Sequence, residues 1–221
     1  MMAASAWPEA VELLGDDRVW PYLLVADELL VERLAAEGLV PRALAAGRDA
    51  ALQVRRDYPA AQANEVLACI GVPVVYSSEE SPVSWRYPRS SYQQDPPQVQ
   101  VYVCAIPMLG ELAQAVGLGG EFSEGRLTDL MLAHELYHHL ALTHLGRVSA
   151  QHRLWKRLLG PLGRWVEVPV LDEVAAHAFV REFCRLRISP AVLDLLTVHR
   201  APERFGALVR RARVLRNGII E

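Results

Sequence analysis

Cysteine is scarce in this chain: Cys69, Cys104 and Cys184 are the only three in 221 residues, and no two form a C-x-x-C pair. So few, so widely spaced and odd in number, they exclude a disulfide framework and a cysteine zinc knuckle, and they predict buried free thiols in a reducing compartment. Lysine is scarcer still, with Lys156 alone against 22 arginines, a bias of base composition rather than of chemistry. No run reaches the roughly 18 apolar residues of a membrane span. The first residues, Met1-Met-Ala-Ala-Ser-Ala-Trp-Pro8, lack the basic start and apolar stretch of a secretory signal. A net charge of −3 gives no cationic excess for nucleic acid or an acidic membrane. The expectation is a cytoplasmic protein with neither of those partners. With 52% apolar residues, the chain is long enough for one well-buried domain with a helical extension.

What is present is more telling. His134, Glu135 and His138 spell H-E-x-x-H within Leu132-Ala-His-Glu-Leu-Tyr-His-His-Leu140. On a helix, residues i and i+4 differ by only about 40° in direction and lie one turn apart, so two imidazoles at that spacing can close on one metal ion. Glu135 points about 80° from the midline of the pair, beside the ion, where it reaches a water rather than the metal. This is the layout of a zinc hydrolase with a carboxylate general base. Leu127, Leu130, Met131, Leu132, Leu136, Leu140, Ala141 and Leu142 leave the helix almost without a polar face, which predicts burial. Two buried imidazoles beside a carboxylate are costly unless something satisfies them, and a metal does so.

No internal repeat is present. Residues 1–57 read as helical, with helices over 22–37, stopped at Gly38, and over 41–56. A third helix is expected over 59–68 and a strand over 72–76. Residues 77–97, rich in Ser, Pro, Tyr and Gln, read as a long loop with a short strand near 85–87. Residues 99–103 alternate β-branched side chains and are the clearest strand. Helices then follow over 108–116, over 126–145 with a stop near Gly146, over 150–159, over 170–186 and beyond Pro190. Helices around a small sheet of early strands make an α+β domain, mostly helical, with the small mixed sheet before the motif helix.

Catalytic zinc usually takes three protein ligands, and two residues compete to be the third. His144 completes a run, His134-Glu-x-x-His138-x-x-Ala141-x-x-His144, with the long metzincin spacing. That spacing works only if the chain leaves the helix at position 141, where metzincins use glycine and this chain has Ala141. If the helix continues, His144 lies about 15 Å along the axis from His134. No methionine follows Met131 to supply the metzincin methionine. Glu173 is the stronger candidate. Val166, Val170, Glu173, His177, Val180 and Cys184 form a stripe at helical spacing, with a carboxylate and an imidazole in an apolar face. One turn beyond Glu173, His177 is placed to orient a ligand, to bind the substrate oxyanion, or to be only a satisfied core histidine. Asp172 is a weaker outer-shell candidate, and Tyr92 and Arg89 are further oxyanion candidates. His139, about 120° from the ligand midline, and Tyr137 read as structural. The arginines at 204, 210, 211, 213 and 216 read as a solvated helix face.

The order of parts resembles the gluzincin metallopeptidases, in particular the ImmA/IrrE-like zinc peptidases. A helix ending in glycine leads to a V-P-V strand. A loop and second strand follow, then the H-E-x-x-H helix, then a helix with Glu173, Ala176 and Phe179 in an E-x-x-A-x-x-F pattern. The resemblance covers roughly residues 60–187. The second acid and Asn that often follow the family's ligand Glu are replaced by Ala175 and Ala176. It implies a zincin-like fold holding one zinc ion on His134, His138 and Glu173, with Glu135 as general base; His177 is added as a candidate catalytic group from its place in the stripe. The chain is expected to divide into three segments: a helical extension over 1–57, the metallopeptidase domain over 58–187 and a helical tail over 188–221. The expected activity is hydrolysis of a peptide bond in a peptide or protein substrate, with residues 99–103 as the strand that pairs with it. The competing readings are a zinc-stabilised binding or regulatory module without turnover, and a non-proteolytic zincin that hydrolyses a small amide.

Overall fold

A computed structural model describes residues 7–78, 89–159, 162–193, 197 and 202–219. The expected short strand near 85–87 lies outside the described residues. The helices α1 (Trp7–Gly15), α2 (Trp20–Leu23), α3 (Glu28–Ala36) and α4 (Leu39–Asp57) open the chain. Asp27 caps α3 by accepting the Leu29 and Leu30 backbone N–H groups at 3.0 and 3.3 Å. Gly38, at φ 62°, makes the turn from α3 into α4. Helix α5 (Ala63–Cys69) starts later than its expected position 59, because Gln62 and Glu65 form a capping box there. Asp129 of a later helix accepts the Ala63 N–H at 3.0 Å and ties that start to the core.

Three strands follow: β1 (Val74–Ser77), β2 (Ser90–Gln94) and β3 (Pro97–Tyr102). Their order is β1-β3-β2, with β1 parallel and β2 antiparallel to β3. The mixed sheet matches the expected fold class, but two details differ. Residues 90–94 were expected in a loop because Ser-Ser-Tyr-Gln-Gln shows no apolar alternation; backbone pairing to β3 makes them a strand. The strand at 99–103 was expected to pair with a substrate, which needs a free edge, yet among the described strands β3 is central and β2 is the edge that meets the motif helix.

Helix α6 (Ala105–Ala115) leads to α7 (Glu124–Leu140), which carries the motif and ends in a π-helical turn over Ala141–Leu145. Gly146, at φ 78°, stops it where the sequence predicted. After the short α8 (Val148–Gln151), residues expected to continue as a helix to 159 instead form β4 (Leu154–Leu159), paired antiparallel with β5 (Leu162–Val166). Leu154, Leu158 and Leu159 imitated helical spacing, but Gly160-Pro161 punctuates the run and Trp155 pairs across to Trp165. Helices α9 (Val170–Phe183) and α10 (Pro202–Ile219) complete the chain. No helix among the described residues is long and apolar enough to cross a membrane.

One apolar core joins α4, α7, α9 and the inner face of β3, where Val99 and Val101 are fully buried. Helix α4 packs backbone to backbone on α9. Ala43, Gly47, Ala50, Ala51 and Val54 recur at helical spacing along the buried side of α4. A Cβ at Gly47 would stand 2.1 Å from the Ala175 carbonyl oxygen, so only glycine permits this approach. Cys69 and Cys104 are exposed and Cys184 is half-buried, all as free thiols; only their expected burial is corrected. Three of the five arginines of α10 form ion pairs within the chain: Arg213 with Glu9 at 2.8 Å, Arg216 with Glu12 at 3.5 Å and Arg211 with Glu28 at 3.0 Å.

Candidate metal centre

Helix α7 places His134 and His138 one turn apart, and α9 brings Glu173 to the same point. The two Nε2 atoms are 3.0 Å apart. Glu173 Oε2 lies 3.4 Å from His134 Nε2, and Oε1 lies 3.5 Å from His138 Nε2. Donors bonded to one tetrahedral zinc at 2.0–2.1 Å would stand about 3.3 Å from one another. The chemistry and spacing of the set therefore fit zinc, and among the described residues these three form the one cluster of this kind. His144, exposed in the π-helical turn, is not part of it. The helix continues through Ala141 rather than leaving it, so the long metzincin spacing does not close.

Both His side chains are mostly covered, whereas 49% of the Glu173 side chain meets solvent. The sequence stripe predicted a buried carboxylate; Glu173 instead stands at the mouth of the site. Burial pushes His138 down to about 4, aided by His134 and opposed by Glu173. Desolvation alone would raise Glu173. The hydrogen bond from His134 and the neighbouring imidazoles outweigh it and bring the carboxyl down to about 2. A neutral His138 and an ionised Glu173 at pH 7 are protonation states that suit binding of a divalent cation.

Glu135 is turned off the ligand pair and buried, with 5% exposure. The Ser90 hydroxyl donates to its Oε1 at 2.7 Å, and the Tyr92 backbone N–H donates to the same carboxylate. Burial raises its proton affinity, while the charge of His134 and these two donors oppose the shift. The edge strand β2 thus holds the acid of α7. Tyr92 also places its hydroxyl 2.9 Å from His139 Nδ1, which accounts for His139 as a buried structural residue.

His177, one turn after Glu173, is buried with its ring edge-on to His134, centroids 5.2 Å apart. The Trp20 indole of α2 also meets the His177 ring, at 5.1 Å, and donates to Asp17 at 3.0 Å. Asp172 does not reach the cluster: it accepts the backbone N–H and hydroxyl of Ser149 and caps α8. Tyr137 packs against Phe179 at 5.6 Å. Sequence reasoning missed Ser90 and Trp20. Only the strand period of β2, hidden by its polar composition, could have pointed to Ser90; nothing local marks Trp20.

Comparison with known protein families, with curated proteins and with solved structures finds no match to this chain.

Proposed function

We propose that this chain is a zinc-dependent metallopeptidase of the gluzincin type, related to the ImmA/IrrE-like peptidases. The observation that carries the reading is the pairing of a three-donor cluster at zinc spacing with a buried carboxylate that is not a donor. A structural zinc would call for four protein ligands; a catalytic one takes three and keeps a position open. His134, His138 and Glu173 would hold the ion, which when bound supplies Lewis acidity to the scissile carbonyl and to the hydrolytic water.

The chain's own groups do the rest. Glu135 accepts a proton from water and returns it to the leaving amine, and its burial suits it to hold that proton in between. Ser90 and the Tyr92 N–H fix the Glu135 carboxylate on the motif side of β2. His177 supports His134 from the far side of the ligand pair, with Trp20 as backing. An extended substrate adds at the β2 edge, where main-chain groups give affinity without demanding one sequence. In this reading residues 58–187 form the catalytic unit of a cytoplasmic enzyme acting on a peptide or protein.

The test uses a Glu135→Gln variant. It is expected to retain about one zinc per chain by elemental analysis, as three unchanged ligands predict. Cleavage of a randomised fluorogenic peptide mixture should fall by about a hundredfold or more. A variant with undiminished turnover would refute Glu135 as the base.

A further inference from the structure

The hairpin of β4 and β5 has no part in the metal cluster, and its surface combines exposed tryptophans with exposed cations. Trp155 stands opposite Trp165, and Lys156 opposite Arg164. Because side chains alternate between faces, one face of the ribbon carries the indoles and the other the cations. Trp155 is 41% exposed, Trp165 61% and Leu162 67%. Like charges directly across a strand pair repel, yet among the described residues neither Lys156 nor Arg164 has a carboxylate partner. Two arginines near the hairpin's root share one counter-charge: Arg147 and Arg153 both bind Glu167, at 2.6 and 3.2 Å. Those bonds and the buried Leu154 fix the hairpin's root between α8 and α9.

We propose that this hairpin docks the protein onto an anionic membrane surface. Exposed indoles partition to the headgroup level of a bilayer, where their rings are half in apolar and half in polar surroundings. Set edge-on in the headgroup layer, the ribbon brings the indoles of one face and Lys156 and Arg164 of the other to the same level; Leu162 adds apolar area there, and two cations with no carboxylate partner among the described residues complement the anionic headgroups. The whole-chain charge gives no hint of this, because −3 averages over acids that lie elsewhere.

The same residue types occur in surfaces that bind single-stranded nucleic acid, but the ring geometry here disfavours that partner. Base stacking requires an open indole face. Trp155 lies over Gly163, where an added Cβ would come within 2.6 Å of its ring, and Trp165 meets it edge-on at 5.5 Å and 66°. A projecting two-stranded ribbon also offers a ridge rather than the groove that would enclose a peptide.

The test is co-sedimentation of the full chain with vesicles of phosphatidylcholine alone or mixed with phosphatidylglycerol. Binding is expected only to the mixed vesicles, and it should weaken as salt screens the cations. Reversing both charges, Lys156→Glu with Arg164→Glu, should reduce it by about tenfold or more. Trp155→Ser with Trp165→Ser should abolish the blue shift of tryptophan emission on binding. Circular dichroism and zinc content establish that each variant is folded. If the double variants fail to fold, quenching of the wild-type emission by brominated lipid takes their place, and an unquenched signal overturns the proposal. So do failure to bind the mixed vesicles, binding that the folded variants leave intact, and hairpin-dependent capture of oligo-thymidine or polyglutamate without vesicle binding.

Discussion

Where α4 crosses α9, two backbones nearly touch, with glycine and alanines between them. Where α10 lies on α1, long side chains do the work. Phe205 packs on Trp7 at 4.9 Å, and Arg213 and Arg216 reach Glu9 and Glu12 across a solvent-facing rim. The first seam has no adjustable part, because a backbone cannot change rotamer. The second can rearrange at little cost. The candidate metal centre belongs to the first kind, since Glu173 is only two residues from Ala175. Precision of a ligand is set by the least yielding contact near it.

The sharpest break in that comparison is at the cluster itself. Glu173→Ala should weaken zinc binding by at least about a hundredfold in a chelator competition, more than the loss of an outer-shell partner costs. His144→Ala should leave it unchanged. The opposite result would transfer the third ligand to His144.

Acid should loosen the close-packed side next. The unfolded chain protonates His138 near 6.5, whereas burial holds the folded value at about 4. Between those values the unfolded state binds more protons, so stability is full above about pH 6.5 and falls as the pH drops toward 4. For the metal-free protein the loss is about 3 kcal/mol, readable by denaturant titration at several pH values. His138→Gln should flatten that slope.

Two glycines sharpen the contrast further. Gly47→Ala forces a methyl against the Ala175 carbonyl and should destabilise by about 1–3 kcal/mol. In α10, a Cβ at Gly206 meets only the movable end of Arg210 at 3.3 Å. Gly206→Ala should therefore stabilise, by up to about 1 kcal/mol of helix propensity. Thermal unfolding of the two variants should move in opposite directions. The smallest effect belongs to the rim: Arg213→Ala with Arg216→Ala should cost about 1 kcal/mol or less, since exposed ion pairs contribute little.

The same contrast explains what was legible beforehand. Local geometry is written in spacing, so the His134–His138 pair and the displaced Glu135 could be read directly, as could the stop at Gly146. Glu173 was reachable because a charged group interrupts an apolar stripe. Contacts between distant segments leave no such trace. Ser90 reached Glu135 from a run read as loop, and Trp20 reached His177 from a helix with no visible chemistry. The β4–β5 hairpin was misread because leucines at helical intervals outweighed a Gly-Pro break. The order β1-β3-β2 depends on pairing partners, which one strand's sequence does not name.

Gly47 carries a consequence for dissection of this molecule. The position of Glu173 is braced from behind by a helix that begins near the start of the chain, and nothing elastic separates the brace from the acid. A fragment beginning at residue 58 would leave a face of α9 lined with alanines open to water. A cut between residues 57 and 58 would therefore remove the brace along with the extension.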